Sequence, residues 1–279
     1  IDAPLHVLYL TTASDDMLVL PRNLLLLDSN AKATVIEHFA SLGNADIMID
    51  AVSEIRLSHG AELEHFKLQQ EGRRTSYIAS DTVEQAGSTG YRSWIVSTGA
   101  ELARQDLRVL LTGPDARCDL NGIYAEDGRQ HMDFHTFIEH RASRCTSRQN
   151  YRGVLEDRSR CVFNGRVYVH QDAQQTDAHQ SNKTLLLSDS AEIDTKPQLE
   201  IYADDVKCSH GATVGQLDRD MLFYLRSRGL DEALARQFLI RGFLGGVVSN
   251  LRHASVAGWI ENLLSERSGT GNDQAGVGS

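Results

Sequence analysis

Lysine is nearly absent from this sequence. Five Lys stand beside 23 Arg, so the cations are planar guanidiniums suited to bidentate and interface contacts more than to a merely solvated surface. A basic face is lacking too. The formal charge is −10, which argues against nucleic-acid binding, since phosphate recognition needs positive surface. No apolar run approaches the roughly 18 residues of a membrane helix, and no basic-then-apolar leader opens the chain. Neither a membrane span nor an attached signal peptide is therefore expected. Ile1 stands where a methionine would, and a segment ahead of it is expected. There are only four cysteines, Cys118, Cys145, Cys161 and Cys208. They form no C-x-x-C pair and are too sparse for a disulfide scaffold, which points to a reducing compartment. Prolines number four and tryptophans two.

What is present is ordinary globular composition, 41% hydrophobic and 24% charged over 279 residues. That length allows one large domain or two smaller ones, with a sizeable core. Residues 1–217 read as strands. Period-2 alternation recurs in short bursts at Ile47, Ile49 and Ala51, at Leu107, Val109 and Leu111, at Val167 and Val169, and at Leu199 and Ile201. Turn clusters separate them, among them Asp28-Ser29-Asn30, Ser58-His59-Gly60, Ser97-Thr98-Gly99 and Ser188-Asp189-Ser190. A weak internal repeat runs through the region. Gly60-Ala61-Glu62-Leu63 recurs as Gly99-Ala100-Glu101-Leu102 and loosely as Ser190-Ala191-Glu192-Ile193 and Gly211-Ala212-Thr213-Val214. Ser143-Arg144-Cys145 returns as Ser159-Arg160-Cys161. Small residues at equivalent corners suit stacked coils, a β-helix solenoid. A jelly roll is the competing reading.

Residues 218–267 change period and read as a small helical domain. Asp218 is the expected N-cap of a helix carrying Met221, Leu222 and Leu225, closed by Gly229. A second helix starts near Asp231, carries Leu234 and Phe238, and runs to Gly245-Gly246 or beyond. A third is expected from Ser255 to Arg267, with Val256, Trp259, Ile260 and Leu263 at helical spacing. The Gly-rich stretch 268–279 is expected to be a disordered tail.

Catalytic motifs are scarce. No G-x-x-x-x-G-K-[ST] phosphate loop exists, so no nucleotide is expected on this chain in that manner, and no G-x-S-x-G, H-E-x-x-H or EF-hand signature appears. His131, Asp133 and His135 would share one side of a strand and, with Glu139 and His140 nearby, could assemble a metal site; surface residues plus a hydrogen-bonded corner is the plainer reading. Asp15-Asp16 and Asp204-Asp205 read as solvated turns. Cys118, Cys145 and Cys161 read as small packing residues. Cys208 differs, because His210 follows on the same side of a strand. A thiol beside an imidazole can act as a nucleophile or offer two soft ligands to iron or zinc. A tetrahedral site then needs further donors from elsewhere.

From Tyr151 onward an ordered series of segments becomes recognisable. It includes Tyr151-Arg152-Gly153-Val154-Leu155, Val162-Phe163-Asn164-Gly165-Arg166-Val167, Gln174-Gln175-Thr176-Asp177-Ala178 and Leu185-Leu186-Leu187-Ser188. Asp194-Thr195-Lys196-Pro197-Gln198-Leu199-Glu200-Ile201, Asp204-Asp205-Val206-Lys207-Cys208-Ser209-His210-Gly211-Ala212-Thr213 and Leu222-Phe223-Tyr224-Leu225-Arg226-Ser227-Arg228-Gly229 follow. Together these resemble the SufB/SufD family of iron–sulfur cluster assembly proteins over about 120 residues; Asp133, Thr136 and His140 upstream also resemble the family pattern, and the fit before residue 100 is loose. The Lys207-to-Thr213 run resembles the SufD form. Leu244 stands where SufB has a cysteine.

The resemblance implies a right-handed parallel β-helix followed by a small helical domain, with a helical region ahead of Ile1. It implies a non-catalytic scaffold that pairs with a SufB-like subunit through the end of the β-helix. A SufC-like ABC-type ATPase would bind the C-terminal helices, with Phe223, Tyr224, Arg228, Phe238 and Phe243 as candidate contacts. Cys208 and His210 match the subunit-interface pair. There His210 could ligate iron of a transient cluster shared with the partner. A cytoplasmic location is expected, or a plastid in a plant or alga. The alternatives are a homodimer through the same end, and a metal- or thiol-dependent enzyme using Cys208 and His210.

Overall fold

The computed structural model describes residues 3–12, 14–43, 45–248, 251 and 256–262. Among them the strands run β1 (Leu5–Thr11), β2 (Met17–Val19), β3 (Arg22–Leu27), β4 (Lys32–Ser41), β5 (Ile47–Leu57), β6 (Glu62–Gln70), β7 (Thr75–Gln85) and β8 (Gly90–Ser97). They continue as β9 (Leu102–Leu111), β10 (Arg117–Glu126), β11 (His131–His140), β12 (Thr146–Leu155), β13 (Arg160–Val169), β14 (Thr176–Leu186), β15 (Glu192–Ile201) and β16 (Val206–Gly215). One sheet has the order β1-β4-β6-β8-β10-β12-β14-β16. The other runs β15-β13-β11-β9-β7-β5, with β2 and β3 both paired to β5. All pairings are parallel, so each strand of one sheet serves as the crossover for the other. The result is a parallel β-helix, and the sandwich reading falls away.

The corners explain why this sequence coils. Asn30, Gly60, Ser88, Asp115, Arg144 and Gln175 all adopt left-handed φ between 55° and 75°, at spacings of 30, 28, 27, 29 and 31 residues. Each donates its backbone N–H to a carbonyl of the next coil, at 2.6–3.2 Å. Behind them Ala61, Thr89, Ala116, Cys145 and Thr176 stack fully buried. The verbatim repeat proves partly out of phase. Gly60 is the left-handed residue before β6, whereas Ala100, not Gly99, is left-handed before β9 in the opposite sheet. Gly211-Ala212 lies inside β16 and marks no corner.

Inside, alternate side chains fill the bore with apolar groups and a line of aromatics. Tyr124, Phe134, Tyr151 and Phe163 pack in tilted and edge-to-face pairs at centroid distances of 4.9–5.5 Å. Two glycines make room for them. Gly122 pairs in register with Tyr151 and Gly153 with Tyr124, and a Cβ at either would come within about 2 Å of its partner ring. The strands, mostly of 9–11 residues, are longer than the bursts of alternation. The reason is chemical: Glu37, His65, Lys67, Asp81, Gln105 and Gln149 occupy buried positions and interrupt the apolar pattern.

Helix α1 (Arg219–Ser227) begins as expected. Asp218 Oδ1 accepts from the Asp220 and Met221 amides at 2.9 and 3.1 Å, and Gly229 closes the helix at φ 97°. Leu222 and Leu225 are half-buried and Met221 is exposed. Asp231 caps α2 (Glu232–Val248) through the Leu234 amide. Ile240, Leu244, Val247 and Val248 of α2, with Val256 and Ile260 of a helical segment over 256–262, cover Phe66, Leu68, Trp94, Val96, Ile123 and Val154 on the outer face of the first sheet. Arg152 fastens the contact, donating to the Phe243 carbonyl with its guanidinium 5.6 Å from that ring centroid. Ser255, Leu263 and the rest of the expected third helix, together with the 268–279 tail, lie outside the described residues.

Candidate functional site at the open end of the β-helix

Strands β16 and β15 close their sheets, and each is hydrogen-bonded along one edge only. A bare parallel edge is a template for another chain. Pro197 stands in β15 opposite Gly165, a position open to proline because the outer edge of this strand is free. In β16, Cys208 pairs in register with Ala178 and His210 with Gln180. Ala178 and Gln180 are buried, whereas Cys208 is half-buried and His210 exposed. Cys208 and His210 therefore continue inward-facing columns and are uncovered because no coil follows among the described residues. Burial pushes the Cys208 thiol above its ordinary range.

Around this pair the outward positions carry charge. Asp177 accepts from Arg148 at 2.6 Å, which holds its carboxyl below the ordinary range, and His179 lies 3.1 Å from the same carboxylate. The other His179 ring nitrogen meets the Ser209 hydroxyl. Beneath His210 runs a chain of amides. Gln180 Nε2 donates to Gln149 Oε1 at 2.7 Å, and Thr136 Oγ1 contacts that oxygen at 3.3 Å. Among the described residues no group of three or more His, Cys, Asp and Glu is arranged to hold a metal. This end of the chain thus brings two donors, the Cys208 thiol and the His210 imidazole, to an open edge.

The other sequence candidates resolve differently. His131, Asp133 and His135 do share the outer side of β11, but Asp133 is held by Arg104 at 2.8 Å, with the His135 ring 2.8 Å from its other oxygen. His140 points the other way. It is fully buried against Ser147 at 2.9 Å, and burial lowers its imidazole to about 4. Asp205 serves a corner, its carbonyl accepting from Gln175, and Asp16 accepts from the Asp46 amide. Cys118, Cys145 and Cys161 are free, fully buried thiols, pushed up by burial. Cys145 sits at a corner, Cys161 within β13.

On the helices, Phe223, Tyr224 and Phe238 are exposed, with the Arg228 guanidinium 5.2 Å from the Tyr224 centroid. Phe243 is half-buried beneath Arg152 and serves the fold. Sequence reasoning missed the buried amides under His210. Their signal was available: Gln149 and Gln180 hold strand positions that alternate with outward residues and so should face the core.

Fold and site together define a class, the parallel β-solenoids that end in an unpaired edge bearing a thiol and an imidazole, with a helical pair folded against one sheet. Residues 9–243 match the family model described as "SUF system FeS cluster assembly, SufBD core domain". The chain belongs to that family. It is 39% identical over 231 residues to the iron–sulfur cluster assembly protein SufD of Escherichia coli (strain K12), covering 83% of this chain and 55% of that protein. An iron–sulfur cluster assembly SufBD family protein of Synechocystis sp. is 34% identical over 274 residues, covering 95% of this chain and 60% of the relative. The Arabidopsis thaliana "Protein ABCI7, chloroplastic" is 34% identical over 238 residues, covering 85% and 50%. The chain thus spans about half to three fifths of the length of these relatives.

Proposed function

We propose that this chain is the SufD-like scaffold of an iron–sulfur cluster assembly complex and performs no turnover of its own. The observation that carries the reading is the open end of the β-helix, an unpaired strand edge presenting Cys208 and His210. A SufB-like subunit adds its strands to this edge and supplies the donors that a nascent cluster needs beyond the two present here. Neutral imidazole binds iron beside thiolates, which gives His210 the direct role and Cys208 a supporting one. The exposed Phe223, Tyr224, Arg228 and Phe238 form the docking face for a SufC-like ATPase, since aromatic and Arg anchors dominate interface energetics. ATP hydrolysis there rearranges the subunit interface. Iron and sulfide are the cargo of this chemistry. No helix among the described residues is long and apolar enough to cross a membrane. Relatives from Escherichia coli and, by its printed name, from a chloroplast support a cytoplasmic or plastid setting.

Co-expression of the full-length protein with SufB-like and SufC-like subunits, followed by anaerobic iron and sulfide analysis, tests the reading. His210→Ala is expected to leave the complex assembled and to empty it of cluster. Unchanged iron and sulfide in that variant would remove His210 from cluster formation and reduce the subunit to architecture. Turnover by the isolated protein would favour the thiol- or metal-dependent enzyme instead.

A further inference from the structure

Gln180 is 3% exposed, and its Oε1 is buried without a hydrogen-bond partner. An amide oxygen stripped of water and left without a donor is destabilising, and native interiors seldom carry one. Behind it lies a second amide, that of Gln149, whose Nε2 is also buried without a partner. Gln149 Oε1 accepts from Gln180 Nε2 at 2.7 Å and from Thr136 Oγ1 at 3.3 Å, so Gln180 spends its NH2 group inward and keeps its oxygen free. The space is built for it: a Cβ at Gly165, in the opposite sheet, would come 2.0 Å from Gln180 Nε2. Successive coils place Leu120, Gln149, Gln180 and His210 in one register column. The residue stacked on Gln180 at the open side is therefore His210.

We propose that Gln180 is a positioning residue for His210. No hydrogen bond joins the two side chains in this structure; a turn of the exposed His210 ring onto the column lets the carboxamide oxygen accept its N–H, which selects the tautomer and leaves the other ring nitrogen free to face the open end. A second hydrogen bond of this kind is how ligating histidines are generally oriented. The consequence for iron, though not the hydrogen bond, rests on the function proposed above.

The test uses full-length protein labelled with 15N-histidine. In the wild type, His210 is expected to show a single tautomer with a ring N–H protected from exchange with water. Gln180→Met, close in length but without the acceptor, is expected to abolish that protection. The ring of His179, which faces outward from the same strand, should keep its spectrum and so report that β14 is intact. A wild-type His210 ring that exchanges freely, or protection that survives in Gln180→Met, overturns the proposal, and the wild-type spectrum decides this even if the variant fails to fold. In the complex with the SufB-like and SufC-like subunits, Gln180→Met should bind iron about 10-fold or more weakly. Protection lost with iron binding unchanged would uphold the hydrogen bond and count against His210 as an iron ligand.

Discussion

The bore of the β-helix and the outer face of its second sheet carry the same kinds of charge under different conditions. In the bore, Lys67 holds both oxygens of Asp81 at 2.6 and 2.7 Å and lies 3.6 Å from Glu37. Glu37 also accepts from His65 at 2.8 Å and from Asn23 at 2.6 Å, and Gln105 donates to Asp81. Burial by itself raises the Glu37 carboxyl, but Lys67 and His65 outweigh it and bring it down to about 2. On the outer face, Arg104 reaches Asp106 and Asp133, both at 2.8 Å, with the guanidinium in partial contact with water. The distances match; the surroundings do not. Solvent screens the outer pairs, whereas removing one partner from the bore strands the rest in a poorly polarisable interior. Glu71 shows the third case, a buried carboxyl served by the Gln69 amide at 2.6 Å and pushed up by burial to about 8.

The sharpest way to break this comparison is Lys67→Met, which leaves Glu37 and Asp81 facing each other's charge. A loss of about 3–5 kcal/mol is expected, read as a shift of the denaturant midpoint at constant slope, and a loss below about 1 kcal/mol would put the bore on the same footing as the surface. Glu71→Gln comes next. Below pH 4.5 both folded and unfolded states hold the Glu71 proton; between 4.5 and about 8 only the folded state does. Unfolding then releases a proton, so this carboxyl lowers stability as pH rises through that window, by a few kcal/mol in total, and its effect levels off above it. The difference in unfolding free energy between wild type and Glu71→Gln should follow this course, and a difference independent of pH would reassign the carboxyl. The smallest effect belongs to Arg104→Ala on the outer face, expected below about 1 kcal/mol and shrinking with salt.

Much of the architecture was legible because it is written locally. The turn clusters at Asn30 and Gly60 are corners, Asp218 and Asp231 cap helices, and alternation located β5, β9, β13 and β15. The repeat was legible in kind but not in phase. Its corners are defined by backbone conformation, and Asn30, Ser88, Asp115, Arg144 and Gln175 meet the same demand with unrelated side chains. Alternation did not locate β6 and β7, since at Lys67 and Asp81 a charge at an inward position reads as surface until its partner is known. Cys208 and His210 were found through their two-residue spacing and the resemblance around them. Gln180 was not, because it lies 30 positions from His210 and only the register of β14 on β16 makes them neighbours.

By itself the sequence determined the coil. Period-2 alternation and small residues recurring beside turn clusters favour stacked coils over a sandwich, and the capping aspartates start the helices whatever surrounds them. Tertiary structure decided which surfaces remain open. Phe66, Trp94 and Ile123 point outward from the first sheet and are buried because α2 and the helical segment 256–262 lie over them, while His210 continues an inward column and is exposed because no coil among the described residues lies above it. Side-chain direction is set by the pleat of one strand. Burial depends on whatever packs against it next, and that neighbour comes from the next coil, from a helix far along the chain, or from another subunit.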